Sequence, residues 1–524
     1  MSELSASRNA TWSTQIRHHA DNRPDQPALR FGGATTTWSE LDHRVSQVAD
    51  WAVNFGVHQG DRVALFMGNR PEFLEVTYAC ARLGAMVVPI NFRLTQPEVE
   101  YILADSGATL LVTDSTFGAV ARAAAATAGI AVVIADSDGT SAVGATDYDE
   151  IISGKWPAHA PATVNSDDPA AIMYTSGTTG RPKGAVLTHD NFAATTDVLV
   201  RAWKFVYDNE VVLAATPLFH IGGFGATTAP IRFGRPLVIL PSTPFNPDDV
   251  LNLVESEGVT TTFMVPPQWQ AIVAVPDAGD RGRTLRAITW GAAPASVVLL
   301  ETLGTTFPTA EIVAIFGQTE MSPITCVLYG DEAIAKQGSV GRPALNVSIR
   351  VVDDEMKDVG PGETGEIVYR GRGLMREYWN NPEATAAAFE GDWFHSGDLV
   401  RRDADGYVFV VDRKKDLIIS GGENIYSAEV ELTLSTHPAV ADAAVIGRPD
   451  EKLGEAVVAV IVPADADNPP ALDELITHCR KSLASYKKPR DLVIVTELPR
   501  NATGKIMKHT LRADTTAVPA TSRT

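Results

Sequence analysis

The sequence predicts an α/β protein: a large N-terminal domain of mixed parallel sheets with helices and a small β subdomain, followed by a small α+β C-terminal domain. Apolar runs of strand length alternate with helix-like segments over residues 24–115 and again over about 190–320. From Val340 the chain changes to short strand signals separated by Gly and Pro turns, and a compact α+β pattern follows residue 416. Strands that alternate with helices are typical of βαβ units and a largely parallel sheet.

The first alternation can be assigned element by element. "RVALFMG" predicts a buried strand, "RPEFLEVTYACARLG" a helix that ends at Gly84, and "MVVPIN" the next strand. The same order returns in "PEVEYILADSG" and "TLLVTD", and "TFGAVARAAAATAGIAVVIAD" predicts another helix that leads into a strand. These segments predict a sheet of mainly parallel strands covered by helices.

The C-terminal part has a different pattern. The stretch "GRPALNVSIRVVDDEMKDVGPGETGEIVYRGRGLM" predicts the small β subdomain. After "DRKKD" (412–416) we predict a strand at "LIIS", a helix near "SAEVELTLSTH", strands at "VADAAVIG" and "EAVVAVIVPA", and a last helix over "ALDELITHCRKSLASYK". We place the boundary after Arg413, which gives an N-terminal domain of residues 1–413 and a C-terminal domain of residues 414–524.

Charge and composition exclude several classes of protein. The 524 residues include 44 Lys and Arg against 64 Asp and Glu, a formal net charge of −20, so broad electrostatic binding to nucleic acid or to an anionic membrane is not expected. No apolar run reaches the roughly 18–20 residues of a membrane-spanning helix, and the N-terminus lacks the apolar core of a secretory signal.

The three cysteines, Cys80, Cys326 and Cys479, lack the spacing of a metal site or a disulfide, which agrees with a reducing compartment. We expect a cytoplasmic protein.

The segment "MYTSGTTGRPKG" (173–184) combines hydroxyl groups, glycines and one lysine. Glycines let backbone N–H groups turn toward an anion, and the lysine adds a positive charge. The Walker A pattern does not fit, because the two glycines are only three positions apart and the strand-like "GAVLTH" follows instead of a helix. The next helix begins at "HDNFAATTDVLVRAW", with Asp190 as its predicted N-cap. Taken alone, the segment fits a phosphate-binding loop and a solvated hairpin turn equally well.

The motifs that follow this segment along the chain favour the phosphate-binding loop over the solvated turn. "YTSGTTGRPKG" resembles the signature loop of the adenylate-forming (ANL) superfamily, which includes acyl-CoA synthetases, peptide-synthetase adenylation domains and beetle luciferases. Further segments that resemble motifs of this family follow in order up to residue 505, and they are closest to its acyl-CoA synthetase branch. The resemblance implies that the loop binds ATP through Thr175, Ser176, Gly177, Thr178, Thr179, Gly180 and Lys183.

"FGQTE" (316–320) resembles the aromatic-Gly-x-Thr-Glu motif of the family. The resemblance implies that Phe316 and Gly317 line the nucleotide site, that Thr319 contacts the α-phosphate, and that Glu320 helps to hold magnesium. A carboxylate beside a triphosphate requires a bridging cation, so this role implies a metal. Taken alone, the pentapeptide fits a Thr/Glu pair at a helix N-terminus better.

"WGAAPA" (290–295) resembles the segment that lies along adenine and the acyl pocket. The resemblance implies nucleotide contacts from Gly291, Ala292, Ala293 and Pro294. The first residue of this segment is usually small in the family. Trp290 therefore either narrows the acid pocket or is a core aromatic residue.

Three motifs near the domain boundary complete the nucleotide and thiol sites. "HSGDL" (395–399) resembles the Gly-Asp motif, which implies that Asp398 binds the ribose, and Arg413 resembles the arginine that reaches the same ribose. Lys415 stands at the hinge position, which implies a mobile C-terminal domain that rotates between two half-reactions. "SGGEN" (420–424) would then contact coenzyme A through Gly421, Gly422 and Glu423.

The remaining motifs concern catalysis and the acid. Lys505 in "LPRNATGKIMKHTLR" (498–512) resembles the catalytic lysine of the family. "PLFHIGGFG" (217–225) resembles a wall of the acid pocket, and a lone histidine on an apolar run is otherwise a core residue; we favour a wall over a general base. The implied acid-contacting residues are His220, Gly222, Phe224, Trp290, Gly291 and Gly317.

The resemblance implies an AMP-forming acyl-CoA ligase that uses ATP, Mg²⁺ and coenzyme A. The acid oxygen attacks the α-phosphorus of ATP, and a thiolate then attacks the acyl-adenylate. Because none of the three cysteines lies within a motif, an external thiol is expected. The alternatives are an enzyme that loads a carrier protein and a luciferase-like oxygenase; a non-catalytic protein is disfavoured because every implied catalytic residue is present. A homodimer is possible at the level of the family.

The identity of the acid is the least determined property. "NFRLT" (91–95) resembles fatty-acyl and related CoA ligases, so we expect a medium- or long-chain or other bulky hydrophobic acid, with an aryl or cinnamate-type acid second. Glu377 replaces a glycine that is commoner in the family, and nothing in the sequence explains its effect.

Overall fold

The computed structural model describes residues 11–137, 145–160, 162–175, 181–242, 244–450, 452–500 and 506–516. The chain divides into two compact units. The first comprises Met1–Ile349 and Tyr369–Phe394, and the second comprises Arg350–Val368 and His395–Thr524. Residues 350–368 and 395–413 thus group with the C-terminal part of the chain by spatial proximity. A functional boundary after Arg413 stays a prediction.

The first unit contains an eight-stranded sheet, counted over the described residues. The strands that the sequence predicted between residues 62 and 135 are parallel neighbours at its centre, with Leu65 opposite Val112 and Val88 next to Ala64. At one side a hairpin adds an antiparallel pair. In spatial order the strands are Glu377–Tyr378, Lys183–Thr188, Pro169–Thr175, Met86–Pro89, Arg62–Phe66, Leu110–Asp114, Ala131–Ala135 and Thr146–Asp147.

A second sheet of the first unit holds strands that follow the hairpin along the chain together with two strands from near the N-terminus. Its central strands are parallel, and the strand Glu311–Phe316 pairs on its other side with the antiparallel strand Cys326–Tyr329. In spatial order, over the described residues, the strands are Ser339–Pro343, Cys326–Tyr329, Glu311–Phe316, Ala287–Gly291, Thr261–Met264, Val212–Ala214, Leu237–Ile239, Pro27–Phe31 and Ala34–Thr37.

Helices cover these sheets, and local sequence sets several of their ends. Pro71 lies in the first turn of the helix Pro71–Leu83, and Gly84 ends it with a φ of +65°, a left-handed conformation that glycine adopts at little cost. The helices of the first unit are Trp12–Asn22, Trp38–Phe55, Pro71–Leu83, Gln96–Ser106, Gly118–Ala128, Tyr148–Ser153, His189–Ala202, Ile221–Ala226, Thr228–Phe233, Pro247–Glu257, Pro266–Val273, Ala278–Arg281, Val297–Thr306, Gly330–Ala335 and Pro382–Ala388, with a 3₁₀ turn at Thr319–Met321.

The second unit combines a β region with an α+β region. The strands Val347–Val352, Thr364–Gly371, Trp393–Arg402 and Val408–Arg413 are neighbours in that order, and the division between the units falls within the first three; Phe389–Glu390 pairs with Trp393–Arg402. A five-stranded sheet follows, with the order Glu423–Ile425, Ile418–Ser420, Gly454–Pro463 and Val440–Asp450, and with Asp491–Ile494 beside Gly454–Pro463. Its helices are Ser427–Ser435, Leu472–Cys479 and Lys508–Thr516, with 3₁₀ turns at Lys414–Asp416 and Ser485–Lys487.

The predicted α/β class and the order of its elements are confirmed, and two local predictions are wrong. Thr188, not Asp190, caps the helix His189–Ala202, because the Thr188 hydroxyl accepts the Asn191 N–H and the Asn191 side chain accepts the Thr188 N–H. The last predicted helix ends at Cys479 rather than continuing to residue 487. Within the described residues, no helix has the length and apolar content to cross a membrane, and all three cysteines are buried and free.

Candidate active site

The predicted phosphate loop lies between two paired strands. Thr175 ends one strand and is directly opposite Lys183, which begins the next. Both residues therefore stand at the mouth of the hairpin, as the loop prediction requires. The predicted contacts of Ser176, Gly177, Thr178, Thr179 and Gly180 lie outside the described residues.

Glu320 lies next to this hairpin mouth. It belongs to the 3₁₀ turn Thr319–Met321 and is 7% exposed. Its Oε1 accepts hydrogen bonds from the Tyr378 hydroxyl at 2.9 Å and from the Thr175 hydroxyl at 3.4 Å. Among the described residues, no side chain bonds the second carboxylate oxygen, Oε2. The turn thus brings a carboxylate with one uncommitted oxygen beside the strand that leads into the loop.

Tyr378 was not singled out in the sequence, yet it joins two predicted site residues. Its hydroxyl donates to Glu320, and the Lys183 ammonium lies 5.2 Å from the centre of its ring. Burial raises the pKa of Tyr378 well above its ordinary value, and the charge of Glu320 adds to this effect. Tyr378 therefore remains a protonated donor to the carboxylate.

The segment 375–379 holds this arrangement through its backbone. The Met375 N–H donates to the Glu320 carbonyl at 2.7 Å, and the Trp379 N–H donates to the Gly184 carbonyl at 2.7 Å. Glu377 lies on a short strand opposite Val186, and its side chain is half-exposed near Arg376. Nothing in the structure gives Glu377 a role in the site. The sequence signal that points to Tyr378 is its place next to Glu377, which stands where a glycine is commoner in the family.

Two predicted glycines are required by close backbone contacts. A Cβ on Gly291 would lie 2.5 Å from the Ile315 carbonyl oxygen, and a Cβ on Gly317 would lie 2.0 Å from that of Pro323. Phe316, just before Gly317, ends the strand Glu311–Phe316 and is half-buried. Next to Gly291, Ala292 has a φ of +66°, a conformation that is strained for any residue other than glycine. Ala292, Ala293 and Pro294 are exposed on the surface of the first unit.

Trp290 and Gly291 lie on opposite faces of their sheet. Side chains alternate along a strand, and Thr289 is directly opposite Phe263. Phe263, Thr289 and Gly291 therefore share one face, whereas Trp290 lies on the other and is 8% exposed. Within the described part of the chain the Trp290 Nε1 has no hydrogen-bond partner. Of the two interpretations of Trp290, this placement favours the core aromatic residue.

Phe263 is a second residue that the sequence did not reveal. Its ring carbon Cε2 lies 3.2 Å from the position of a Cβ on Gly291, and Cε1 lies 3.2 Å from that of a Cβ on Gly222. Any larger residue at either glycine would press on this half-exposed ring. Phe263 thus brings together Gly222 and Gly291, which were predicted separately as acid-contacting residues.

The other residues of the segment 217–225 take different positions. His220 caps the helix Ile221–Ala226, and its Nδ1 accepts the Gly222 N–H at 3.1 Å. Phe224 is 2% exposed, and its ring packs against those of Trp12, Phe192 and Phe73. Phe224 therefore belongs to the core of the first unit, whereas His220 remains half-buried next to Gly222.

In the second unit, the predicted ribose residues are paired. Asp398 and Arg413 are opposite each other on adjacent strands, and the Arg413 Nε lies 2.6 Å from the Asp398 Oδ1. Burial lowers the pKa of Lys415 in the 3₁₀ turn that follows. Gly421 and Gly422, with φ of +63° and +83°, form the turn of a hairpin beside the exposed Glu423. Lys505 lies outside the described residues.

The metal prediction rests on a single carboxylate. The described residues contain no cluster of three or more His, Cys, Asp or Glu side chains that could hold a metal ion. Mg²⁺ is commonly bound through one or two carboxylates, with substrate phosphates and water as the other ligands. Glu320, with its uncommitted Oε2, fits that mode of binding.

Comparison with known proteins decides the family. A model described as AMP-binding enzyme matches residues 16–379, and one described as AMP-binding enzyme C-terminal domain matches residues 429–505. The chain belongs to the AMP-binding enzyme family. The predicted adenylate-forming superfamily is thereby confirmed.

The similar proteins confirm the predicted acyl-CoA synthetase branch and the class of AMP-forming acid–thiol ligases, and three of them illustrate the range of the family. The chain is 41% identical to a feruloyl-CoA synthase from Amycolatopsis sp, over 93% of this chain and 96% of the relative. It is 36% identical to an indoleacetate–CoA ligase from Aromatoleum aromaticum, over 95% and 97% of the two chains. O-succinylbenzoate coenzyme A synthetase of Bacillus subtilis, solved in complex with ATP and magnesium ion, is 31% identical and superposes with a TM-score of 0.84 over 95% of this chain and 98% of that one.

Proposed function

We propose that this protein joins a bulky hydrophobic carboxylic acid to coenzyme A, with conversion of ATP to AMP and pyrophosphate. The observation that carries the proposal is the position of Glu320, buried beside the mouth of the hairpin, where among the described residues only its Oε1 is bonded, to Thr175 and Tyr378. This arrangement supports a magnesium-assisted triphosphate site. Feruloyl-CoA synthase and indoleacetate–CoA ligase, two relatives of similar length, support CoA as the acceptor.

The first half-reaction forms the acyl-adenylate. A carboxylate oxygen of the acid attacks the α-phosphorus, and the bond to pyrophosphate breaks. All the reacting groups are negative, so positioning and charge neutralisation dominate catalysis. Glu320 would hold Mg²⁺, which supplies positive charge beside the phosphates; Lys183 and Thr175 would bind phosphate oxygens. Thr319 and Lys505 take the α-phosphate and carboxylate roles implied by the resemblance.

The second half-reaction transfers the acyl group. The CoA thiolate attacks the acyl carbonyl, and the bond between that carbon and the AMP oxygen breaks. All three protein cysteines are buried, and burial raises the pKa of Cys80 to about 12. A protein thiol is therefore a poor acceptor, which supports an external one. Gly421, Gly422 and Glu423 are proposed to contact the CoA arm, and Lys415 is proposed as the hinge.

Within the class of bulky hydrophobic acids, the structure supports an acid with a planar ring. The partly exposed ring of Phe263 lies next to both Gly222 and Gly291, and we propose that an aromatic ring of the acid packs against it. The names of the two relatives describe ligases for aryl-bearing acids. An unbranched fatty acid is the alternative that the experiment must separate.

The test is AMP release from MgATP with aryl acids (cinnamic and indole-3-acetic) and with fatty acids of matched carbon number, each with and without CoA. We expect CoA-dependent turnover with an aryl acid, and its loss in Glu320→Gln. Glu301→Gln, at an exposed carboxylate on the helix Val297–Thr306, is the matched control. Turnover with fatty acids only would overturn the aryl preference, and AMP formation limited to one equivalent with CoA present would overturn CoA as the acceptor.

A further inference from the structure

Glu366 is a buried carboxylate in the second unit that belongs to none of the motifs described above. It lies on the strand Thr364–Gly371 and is 5% exposed. A buried carboxylate is costly unless it is paired and hydrogen-bonded. The hydrogen-bond partners of Glu366 therefore indicate its role.

The two oxygens of Glu366 contact the neighbours of both predicted ribose residues. Oε1 accepts the Gly397 N–H at 2.9 Å, immediately before Asp398 in the chain. Oε2 lies 3.2 Å from the ammonium of Lys414, immediately after Arg413. Glu366 thus bonds the backbone of Gly397, which precedes Asp398, and the side chain of Lys414, which follows Arg413.

Further contacts fix the charge and orientation of this carboxylate. The His395 Nδ1 lies 3.1 Å from Oε2, and the Ser396 hydroxyl, which donates to the Ile367 carbonyl, also accepts the Asp398 N–H. Burial favours the neutral form of Glu366, but His395, the Gly397 N–H and Lys414 outweigh it and hold its pKa below the ordinary value. Glu366 is therefore ionised at neutral pH.

We propose that Glu366 is a positioning residue for nucleotide recognition: it holds Asp398 and Arg413 in the geometry that binds the ribose hydroxyls. This inference rests on the proposed function, in which Asp398 binds the ribose. Glu366 itself does not contact the nucleotide. Its loss should leave the Asp398–Arg413 pair present but displaced, and ribose recognition should weaken while acid recognition is unchanged.

The experiment measures kcat/KM for ATP and for 2′-deoxy-ATP and 3′-deoxy-ATP, together with the KM for the acid. We expect Glu366→Ala to raise the KM for ATP about tenfold and to reduce the preference for ATP over the affected deoxy analogue by a similar factor, since a hydrogen bond to a charged group commonly contributes that much. Glu366→Gln, whose amide oxygen can still accept the Gly397 N–H, should recover part of the preference, and it provides the test if the alanine variant does not fold.

Two further variants separate the possible failures. Asp354→Asn removes the other, exposed carboxylate partner of Lys414 and should leave the preference unchanged. Asp398→Asn should abolish the preference. If it does not, the ribose assignment within the proposed function is wrong. If Asp398→Asn abolishes the preference but Glu366→Ala and Glu366→Gln keep it and only lower the melting temperature, Glu366 is structural and the positioning proposal is overturned.

Discussion

The hydroxyl of Tyr378 lies 2.9 Å from the Oε1 of Glu320, although the two residues are 58 positions apart in the chain. The bond leaves Oε2 without a partner among the described residues and fixes the plane of the carboxylate. In metal sites, partners of this kind orient the ligand, and their loss commonly costs 10–100-fold in metal affinity. The relation connects a residue of the predicted metal motif to one that no motif identified.

Tyr378→Phe should raise the magnesium concentration needed for half-maximal adenylation about tenfold, because Glu320 would lose its shorter hydrogen bond. The measurement is the initial rate of AMP formation against Mg²⁺ at saturating ATP and acid. Tyr148→Phe, on the helix Tyr148–Ser153, removes a comparable bond, from the tyrosine hydroxyl to Glu75, and is the matched control. An unchanged magnesium requirement in Tyr378→Phe would show that the bond does not orient a metal ligand.

Phe263→Ala should shift acid preference toward larger acids, because it removes a ring that contacts the positions of both Gly222 and Gly291. A change of this size in an apolar pocket should raise kcat/KM for a two-ring acid, relative to a one-ring acid, about tenfold. The measurement is that ratio in the variant and in the parent. Trp290→Phe, on the opposite face of the sheet, should leave it unchanged. A ratio that changes in Trp290→Phe but not in Phe263→Ala would show that the acid binds on the Trp290 face of the sheet.

Lys505→Ala should slow adenylation at least about a hundredfold, because it removes a cation from a reaction in which negative charge accumulates. Attack of CoA on supplied acyl-adenylate should largely survive. The two half-reactions are measured separately by stopped-flow or quench methods. The exposed Lys481 offers a control, Lys481→Ala, that changes the net charge equally. Equal loss of both half-reactions would contradict this division of roles.

His189 should make the fold sensitive to acid. Burial lowers its pKa to about 4 from an ordinary 6.5, and neither ring nitrogen has a partner among the described residues. Between pH 6.5 and 4 the unfolded chain binds the proton more readily, so the free energy of unfolding falls as the pH falls through this window, by about 3 kcal/mol in total. Above pH 7 this contribution should be constant.

His189→Phe removes the titrating group and keeps an aromatic ring beside Trp12. In the variant, the slope of the free energy of unfolding against pH should be smaller by up to about 1.4 kcal/mol per pH unit. The measurement is urea unfolding at several pH values between 4 and 7.5. Burial lowers the pKa of His19 in the same direction, so part of the dependence should persist until His19→Gln is added. If the free energy of unfolding has the same slope against pH in the parent and in His189→Phe, His189 is not the source of the acid sensitivity.

The element order could be predicted, and candidate site residues could be named, because their signals are local. Apolar periodicity marks each strand and helix, and a phosphate loop needs its glycines, hydroxyls and lysine within a few residues. The same locality explains the error at Asp190, since a capping box is decided by which side chain pairs with which N–H. Thr188 and Asn191 form that pair.

The residues that support the site could not be predicted, because contacts between distant segments depend on strand pairing. Tyr378 reaches Glu320 because its strand pairs with the hairpin at Ala185. Phe263 meets Gly291 because two parallel strands align Phe263 with Thr289, and Trp290 faces the other way because side chains alternate. Glu366 meets Gly397 across 31 positions. The sequence by itself determined the family and the order of elements, and it predicted the reacting groups. Only the tertiary structure decided which buried side chains contact the predicted site residues or their neighbours, since register across a sheet is set by the packing of the whole chain.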